Sequence, residues 1–381
     1  MKIINKIVNK LTRKEEKKWY AKEKDYLGNA DVLFINGCEL GHPFRYRVLN
    51  QKEQLEKAGY SCHWIYIKQI NKKNVAEIVK KHKVFIIYRC PFQKSVELLM
   101  NNISINKKNI FFDIDDLVID TEYTDTIPYV QSFSNKQKKE YDSNVCKMKK
   151  TMLMTDGVIT TTKQLEKELK KYSENVFINR NTASEKMVAL SELCLSKNNN
   201  TQVIKIGYFS GSITHNADIE LISHVLCEIM KKYLNVKLCV VGELNLPDTL
   251  KCFENRIIRY PFVNWEILPS YIAKVDINIC PLENSIFNAA KSENKWIEAA
   301  LVKVPTIASR IGAFEEMIDD GVNGFLCDSE ALWIDKLSEL ISSEELRKRI
   351  AEQAYIKVHN NCLTENSGRT FGEYLMKSVR C

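Results

Sequence analysis

The chain has 381 residues, of which 45% are hydrophobic and 27% are charged, and its formal net charge is +8. This composition excludes an intrinsically disordered protein, and the length predicts two domains rather than one core. The twelve cysteines are scattered and form neither a CxxC motif nor a cluster with zinc spacing, so we expect free thiols in a reducing cytoplasm.

Residues 1–28 are basic and predict a helical N-terminal extension. They lack the apolar core of a signal peptide, and no stretch reaches the roughly 18 apolar residues that a spanning helix needs. Lysines recur in the first half of the chain, as in KQKKEYDSNVCKMKK (Lys136–Lys150). Such a surface suits anionic lipid headgroups or polyphosphate ligands, and it equally suits a solvated helix face. No nucleic-acid motif accompanies the charge, so we expect no nucleic-acid partner.

Short apolar runs alternate with helical patterns along the whole chain. Residues 29–186 contain six predicted strands: DVLFING, YSCHWIYI, KVFIIYR, NIFFDID, GVITTT and NVFIN. Residues 187–203 fade into an Asn/Lys tract and predict a linker. Residues 204–360 contain six more strands: KIGYFSG, VKLCVVG, RIIRYPFV, DINICPL, PTIAS and NGFLC. We expect residues 361–381 to form a helix that packs back toward the first domain.

This alternation predicts an α/β protein with two tandem Rossmann-like domains, each a doubly wound parallel sheet. Ligands of such sheets bind at the carboxyl ends of the strands, which here predicts a cleft between the domains.

The second domain opens with a strand that runs into Ser210, Gly211 and Ser212, and His215 precedes the next helix. Small residues let backbone N–H groups approach an anion, and a helix N-terminus adds partial positive charge. The segment therefore predicts a phosphate site, although an ordinary strand–helix turn has the same pattern.

A helix predicted to begin near Lys291 carries Lys291, Lys295 and Glu298 at positions i, i+4 and i+7, on one face. Two lysines there would neutralise a diphosphate, and the carboxylate could accept hydrogen bonds from two ribose hydroxyls. A solvated helix with i,i+4 ion pairs is the alternative.

The runs KSENKWIEAALVKVPTIAS and IGAFEEMIDDGVNGFLC are similar to the donor-binding domain of the GT-B glycosyltransferases, in particular glycosyltransferase family 4. The resemblance extends from Asp31 to about Leu375 and is weak in the first domain. It implies a retaining, metal-independent hexosyltransferase with a nucleotide-diphosphate sugar as donor substrate and no cofactor. It also implies a glycan or lipid-linked acceptor, in bacterial capsule or O-antigen assembly, with peripheral contact at the inner face of the cytoplasmic membrane.

The resemblance also implies residue roles. It gives Glu298 to the nucleotide ribose and the backbone around Phe262 and Val263 to the base. The turn before the helix would contribute to the donor site through three residues: Asn288, Lys291 and Ser292. Two departures stand out, because Ala290 replaces the first Glu of the family motif and Tyr208 replaces the usual Arg.

The first strand–helix loop of the first domain faces the predicted cleft. Gly41 and His42 lie in this loop, followed by Arg45 and Arg47. These four residues are the predicted acceptor side, where the arginines would bind an acceptor phosphate or the donor diphosphate.

The stretch FFDIDDLVID places Asp113, Asp115 and Asp116 after an apolar strand. It resembles the haloacid-dehalogenase signature, which would make Asp113 a phosphatase nucleophile and Asp115 its acid/base. A metal-binding Asp-x-Asp of the GT-A fold and a simple helix cap are further alternatives. We favour Asp115 and Asp116 as cleft residues that orient the acceptor or the donor sugar, with Lys295 completing the catalytic set. A catalytically silent GT-B scaffold and a nucleotide-sugar epimerase remain open as functions.

Overall fold

The computed structural model describes residue 26 and residues 28–38, 42–195, 202–210 and 216–377. These residues contain two parallel β-sheets of six strands each. The first sheet contains β1 (Ala30–Asn36), β2 (Cys62–Tyr66), β3 (His82–Tyr88), β4 (Asn109–Asp113), β5 (Gly157–Thr160) and β6 (Val176–Ile178). The second contains β7 (Ile204–Phe209), β8 (Val236–Val241), β9 (Ile257–Tyr260), β10 (Ile277–Cys280), β11 (Thr306–Ser309) and β12 (Phe325–Cys327).

The strand orders are β2-β1-β3-β4-β5-β6 and β12-β11-β10-β7-β8-β9. Both faces of the sheets are buried, as the continuous apolar strands require. Alternate residues of β1 enter different hydrophobic clusters, with Leu33 and Ile35 on one face and Val32 and Phe34 on the other. The two doubly wound domains predicted from the alternating pattern are therefore present.

Helices cover both faces of each sheet. The first domain has α1 (His42–Phe44), a π-helical segment (Arg45–Asn50), α2 (Gln51–Lys57), α3 (Val75–Lys81), α4 (Lys94–Ile105), α5 (Thr121–Thr124), α6 (Pro128–Gln131), α7 (Asn135–Met152) and α8 (Lys163–Leu169). The rest of the chain has α9 (Glu185–Glu192), α10 (Asn216–Glu220), α11 (Ser223–Lys232), α12 (Leu268–Ile272), α13 (Ile286–Ala289), α14 (Asn294–Leu301), α15 (Gly312–Met317), α16 (Glu330–Ser342), α17 (Glu344–Asn361) and α18 (Thr364–Lys377). Residues Ile67–Gln69 and Asp248–Arg256 form 3-10 helices.

The chain crosses between the domains twice, and the two crossings pair with each other. The Ala183 N–H donates to the Cys362 carbonyl at 2.7 Å, and the Thr364 N–H donates to the Ala183 carbonyl at 3.0 Å. Helix α18 then packs on α2, with Phe371 and Leu375 inside the first domain's hydrophobic cluster. The C-terminal helix is thus a structural part of the first domain.

The segment predicted as a linker is partly helical. Helix α9 begins before residue 187 because the Ser184 side chain caps it, accepting from the Met187 N–H, and Met187 is buried. Most of the predicted N-terminal extension lies outside the described residues. Among the described helices, none combines the length and apolar character needed to cross a membrane.

The close approach of α18 to α2 predicts that Gly368→Ala weakens the attachment of the C-terminal helix. A Cβ at residue 368 would lie 2.0 Å from the Gln54 carbonyl oxygen, so one helix backbone must shift. We expect the free energy of unfolding to fall by about 1–3 kcal/mol in urea denaturation. Glu373→Ala, on the exposed face of α18, is the matched control and should change it by less than about 0.5 kcal/mol. Equal stabilities of the two variants would contradict this packing.

Candidate functional site

Two neighbouring cavities lie where loops from both domains meet at the carboxyl ends of the sheets. The small cavity, of about 230 Å³, is lined by Tyr46 and Asp115 of the first domain and by Ser210, Lys295 and Glu298 of the second. The large cavity, of about 870 Å³, is also lined by both domains. Its polar lining residues include Arg89, Asp116, Tyr129, Tyr141, Asn144, Asp218, Glu283, Asn288 and Lys291.

Lys295 is the clearest anion-binding group of the small cavity. Its Nζ atom is buried and has no hydrogen-bond partner among the described residues. The ammonium lies 4.9 Å from the ring centroid of Tyr208, the residue at the position of the family's arginine. The ring face stabilises the cation without neutralising it, so the charge remains available to a ligand.

Glu298 lies one turn further along α14 and is held from the other domain. Its Oε1 atom accepts from Tyr46 Oη at 2.8 Å and from Arg45 NH2 at 3.2 Å. The Arg45 guanidinium stacks between the rings of Tyr46 and Trp265, at 4.2 and 4.5 Å from their centroids. The contact leaves Oε2 of Glu298 as the oxygen available to a ligand.

The remaining wall of the small cavity comes from Phe262, which is 43% exposed, and from the buried Val263. Ser210 follows β7, and its N–H donates to the Val241 carbonyl at 2.8 Å. Ser210, Phe262, Val263, Lys295 and Glu298 therefore lie together, as the predicted donor site requires.

Asp115 and Asp116 lie after the end of β4, and they face different cavities. Asp115 accepts from Tyr88 Oη at 2.9 Å and from Arg89 Nε at 2.7 Å. Asp116 lies 3.4 Å from Arg89 NH2 and accepts from the Leu117 N–H at 3.0 Å. Burial raises the pKa of Asp116, and the nearby Arg89 opposes the shift. The sequence analysis did not identify Tyr88 or Arg89.

Asp113 has a structural role that contradicts the phosphatase alternative. Its carboxylate is fully buried and accepts from Arg47 Nε at 2.9 Å, Arg47 NH2 at 2.7 Å and Gln51 Nε2 at 2.7 Å. A nucleophile needs an exposed oxygen, and both oxygens of Asp113 are occupied. Within the described residues, no three His, Cys, Asp or Glu side chains are grouped to hold a metal ion.

The two predicted acceptor-side arginines are also corrected. Arg47 is fully buried and, besides Asp113, donates to the Asn179 carbonyl at 2.7 Å and to Asn181 Oδ1 at 3.2 Å. Arg45 is 4% exposed and is held by Glu298. The π-helical segment turns both side chains inward, so neither guanidinium presents a free surface to an acceptor.

The turn before α14 differs from the prediction, because the helix begins at Asn294 rather than near Lys291. Lys291 instead lies in the loop before α14 and approaches Asp218, with Nζ 3.9 Å from Oδ2. Burial lowers the pKa of Lys291, and Asp218 opposes the shift. The Asn288 amide donates to the Glu283 carbonyl at 3.0 Å. Lys291 and Asn288 line the large cavity rather than the small one.

Two other residues of this turn join the domains. Ser292 Oγ accepts from Asn181 Nδ2 at 3.1 Å. Ala290 is fully buried within the hydrophobic cluster of the first domain, and its carbonyl accepts from Thr162 Oγ1 at 3.2 Å. The missing glutamate of the family motif is thus replaced by a domain contact. The nearby Glu293, at the start of α14, is buried against Arg180 of the first domain.

Several predicted residues lie outside the described part of the chain. They are Gly41, Gly211, Ser212 and His215, and the side chain of His42 is likewise not described.

The comparisons with known proteins agree with this arrangement. Residues 204–343 match the family described as "Glycosyl transferases group 1". No curated protein matches the chain. Together with the structural similarities below, the family match confirms the resemblance to GT-B glycosyltransferases.

Three solved structures illustrate the GT-B fold, which these similarities confirm. HepE from Anabaena, in complex with UDP and glucose, is 14% identical, with a TM-score of 0.62, and the alignment covers 92% of this chain and 100% of that one. Sucrose-phosphate synthase from Thermosynechococcus elongatus is 13% identical, with a TM-score of 0.61 and coverage of 91% and 98%. A mutant of TarM from S. aureus, in complex with fondaparinux, alpha-GlcNAc-glycerol and UDP, is 16% identical, with a TM-score of 0.55 and coverage of 78% and 55%.

The burial of Ala290 predicts that restoring the family's glutamate damages the protein. Ala290→Glu would place a carboxylate in an apolar cluster without a partner, so we expect unfolding free energy to fall by about 3 kcal/mol or more. Differential scanning fluorimetry and urea denaturation measure the change. Ile286→Glu in the same turn is the control, because Ile286 is 55% exposed. A stable Ala290→Glu variant with tighter UDP-sugar binding would contradict the assignment.

Proposed function

We propose that this protein is a retaining, metal-independent glycosyltransferase that moves a sugar from a nucleotide-diphosphate sugar to an acceptor hydroxyl. The carrying observation is the small cavity, in which the unpaired ammonium of Lys295 and the carboxylate of Glu298 lie one helical turn apart. A buried cation without a partner is costly, and an anionic ligand is the partner it lacks.

The donor nucleotide fits the small cavity as follows. Lys295 binds the diphosphate, with Ser210 beside it. Glu298 accepts a ribose hydroxyl through Oε2, while Arg45 and Tyr46 keep Oε1 in place. The backbone around Phe262 and Val263 faces the base. HepE and TarM, which share the fold, were each solved with UDP, which makes UDP the first nucleotide to test.

The chemistry follows from where charge develops. Negative charge grows on the diphosphate as its bond to the sugar breaks, and Lys295 stabilises that charge in a site shielded from water. Positive charge grows on the sugar, toward which the Asp115 carboxylate contributes a negative field. The acceptor hydroxyl attacks from the face that the diphosphate leaves, which retains the anomeric configuration.

The acceptor fits the large cavity. Tyr129, Tyr141 and Phe287 offer ring faces, and Asp116 and Asn144 offer polar groups for hydroxyls. The cations described in its lining, Arg89 and Lys291, already face carboxylates. This charge balance favours the uncharged hydroxyl groups of a glycan, free or lipid-linked, over a phosphate at this position.

A role in bacterial cell-surface polysaccharide assembly, in the capsule or O-antigen, is supported by the family resemblance. Peripheral contact with the cytoplasmic face of the membrane is supported by exposed lysines of α7 and by Leu153 and Met154, which are 56% and 43% exposed at its end.

Lys295→Met separates ligand binding from stability. Removing an unpaired buried ammonium should leave the ligand-free protein equally stable or more stable. Losing its charged hydrogen bond should weaken UDP binding by about 10- to 100-fold, measured by isothermal titration calorimetry. Lys357→Met is the control, because Lys357 pairs with Asp319 at 2.7 Å, outside both cavities. Unchanged UDP affinity in Lys295→Met would overturn the donor-site assignment.

The reaction class is tested with a panel of UDP-, GDP- and dTDP-sugars in the presence of EDTA. We expect one nucleotide class to raise the melting temperature, and its sugar to be released slowly with retained anomeric configuration by NMR. Loss of turnover in EDTA would contradict metal independence. No response to any nucleotide would support the silent scaffold, and recovery of an epimerised sugar nucleotide would support the epimerase.

A further inference from the structure

We propose that Arg89 is a positioning residue that holds Asp115 toward the small cavity and Asp116 toward the large cavity. It thereby aligns two carboxylates at the junction where donor and acceptor meet. The identity of those substrates rests on the proposed function, whereas the ion-pair geometry does not.

The contacts of Arg89 connect both cavities. Its Nε donates to Asp115 Oδ1 at 2.7 Å, and its NH2 lies 3.4 Å from Asp116 Oδ2. Tyr88 Oη donates to the same Asp115 oxygen at 2.9 Å. Asp115 lines the small cavity, whereas Arg89 and Asp116 line the large one. One planar guanidinium therefore fixes the directions of two consecutive carboxylates.

The backbone of Arg89 is strained in a way that favours this role. Its φ angle is +41°, in the left-handed region that a residue with a Cβ rarely adopts. Its N–H donates to the Asp113 carbonyl at 3.1 Å, which ties the strained residue to the end of β4. Strained conformations of this kind concentrate at functional sites, where surrounding contacts maintain them.

The neighbouring segment leaves little freedom to relax. Gly37 passes so close to Cys90 that a Cβ on Gly37 would lie 2.4 Å from the Cys90 Cα atom. The Gly37 N–H also donates to the Tyr88 carbonyl at 2.9 Å. The turn that carries Arg89 is therefore clamped on both sides.

Arg89 differs from the structural arginine next to it. Arg47 is fully buried and bonds only protein groups, whereas the Arg89 side chain is 20% exposed and lines a cavity. A purely structural ion pair needs neither the cavity position nor a bridge to two carboxylates. The exposed part of Arg89 is available to a substrate, but its described contacts act through Asp115 and Asp116.

Four charged or titratable groups face Asp116: Arg89, Lys291, Asp115 and Tyr141. Arg89 and Lys291 favour the ionised carboxylate, and Asp115 opposes it. Burial raises the pKa of Tyr141 to about 12, so this hydroxyl stays neutral near pH 7. Removing Arg89 leaves Lys291 as the one cation of this set, so the pKa of Asp116 should rise further.

The test compares Arg89→Met, Arg89→Lys and Arg89→Gly with the wild type. Turnover is measured as hydrolysis of whichever UDP-sugar in the panel is released fastest. We expect Arg89→Met to lower kcat by on the order of 100-fold, with the donor KM changed less than about threefold, because alignment is lost but the small cavity remains. The acid limb of the pH–rate profile should move to higher pH. Arg89→Lys keeps the charge but not the fork, so partial rescue is expected.

Arg310→Met is the matched control. Arg310 also bridges two carboxylates, with NH2 2.5 Å from Asp320 and Nε 3.8 Å from Asp328, and it lines neither cavity. Its loss should leave kcat and the pH profile unchanged. The same small effect in Arg89→Met as in Arg310→Met, or full activity in Arg89→Gly, would overturn the proposal.

A second measurement separates this inference from the proposed function. NMR titration of protein labelled with 13C at the aspartate carboxyls follows the pKa of Asp116 without turnover. A rise in Arg89→Met, absent in Arg310→Met, supports the positioning role even if no sugar nucleotide is hydrolysed. An unchanged pKa of Asp116 together with normal UDP binding would reject the role of Arg89 and leave the donor site intact.

Discussion

The buried ion pair between Arg47 and Asp113 is the contact on which the site depends. It joins the π-helical segment to the end of β4, and Arg47 also donates to the crossing strand at Asn179 and Asn181. Asn181 in turn donates to Ser292 and Asn294 of the second domain. Removing one partner of such a pair costs about 3–5 kcal/mol, because the other charge stays buried. One ion pair thus fixes both the acidic loop and the domain contact.

The anchored Asp113 explains how three neighbouring carboxylates can have different roles. Its side chain is neutralised inside the first domain, while its carbonyl holds the strained Arg89 backbone. The chain leaves β4 at that point, and Asp115 and Asp116 then face separate cavities. Like charges this close repel each other, and the shared guanidinium of Arg89 offsets that repulsion. The acidic stretch combines one structural carboxylate with two that face ligands.

The sequence predicts what is encoded locally. Strands follow from β-branched and aromatic runs, and Lys295 and Glu298 follow from their spacing on a helix. Arg89 required strand order, because only the parallel pairing of β3 with β4 puts Tyr88 opposite Asp113. The inward turn of the arginines of the π-helical segment likewise depends on tertiary contacts, since an isolated helical pattern gives no direction to its side chains. The late start of α14 has the same origin, because Glu293 is buried against Arg180 of the other domain.

The two departures from the family motif have a common physical consequence. Tyr208 provides a ring face for Lys295 in place of a second cation, and Ala290 exchanges a sugar-facing carboxylate for a contact with the first domain. Charge that the motif concentrates in one domain is therefore distributed over both. Arg45 and Tyr46 reach Glu298 across the cleft, and Lys291 approaches the carboxylates beside Arg89. Because Coulomb interactions weaken with distance and with water, this distributed site has its full field only while the domains are closed on each other.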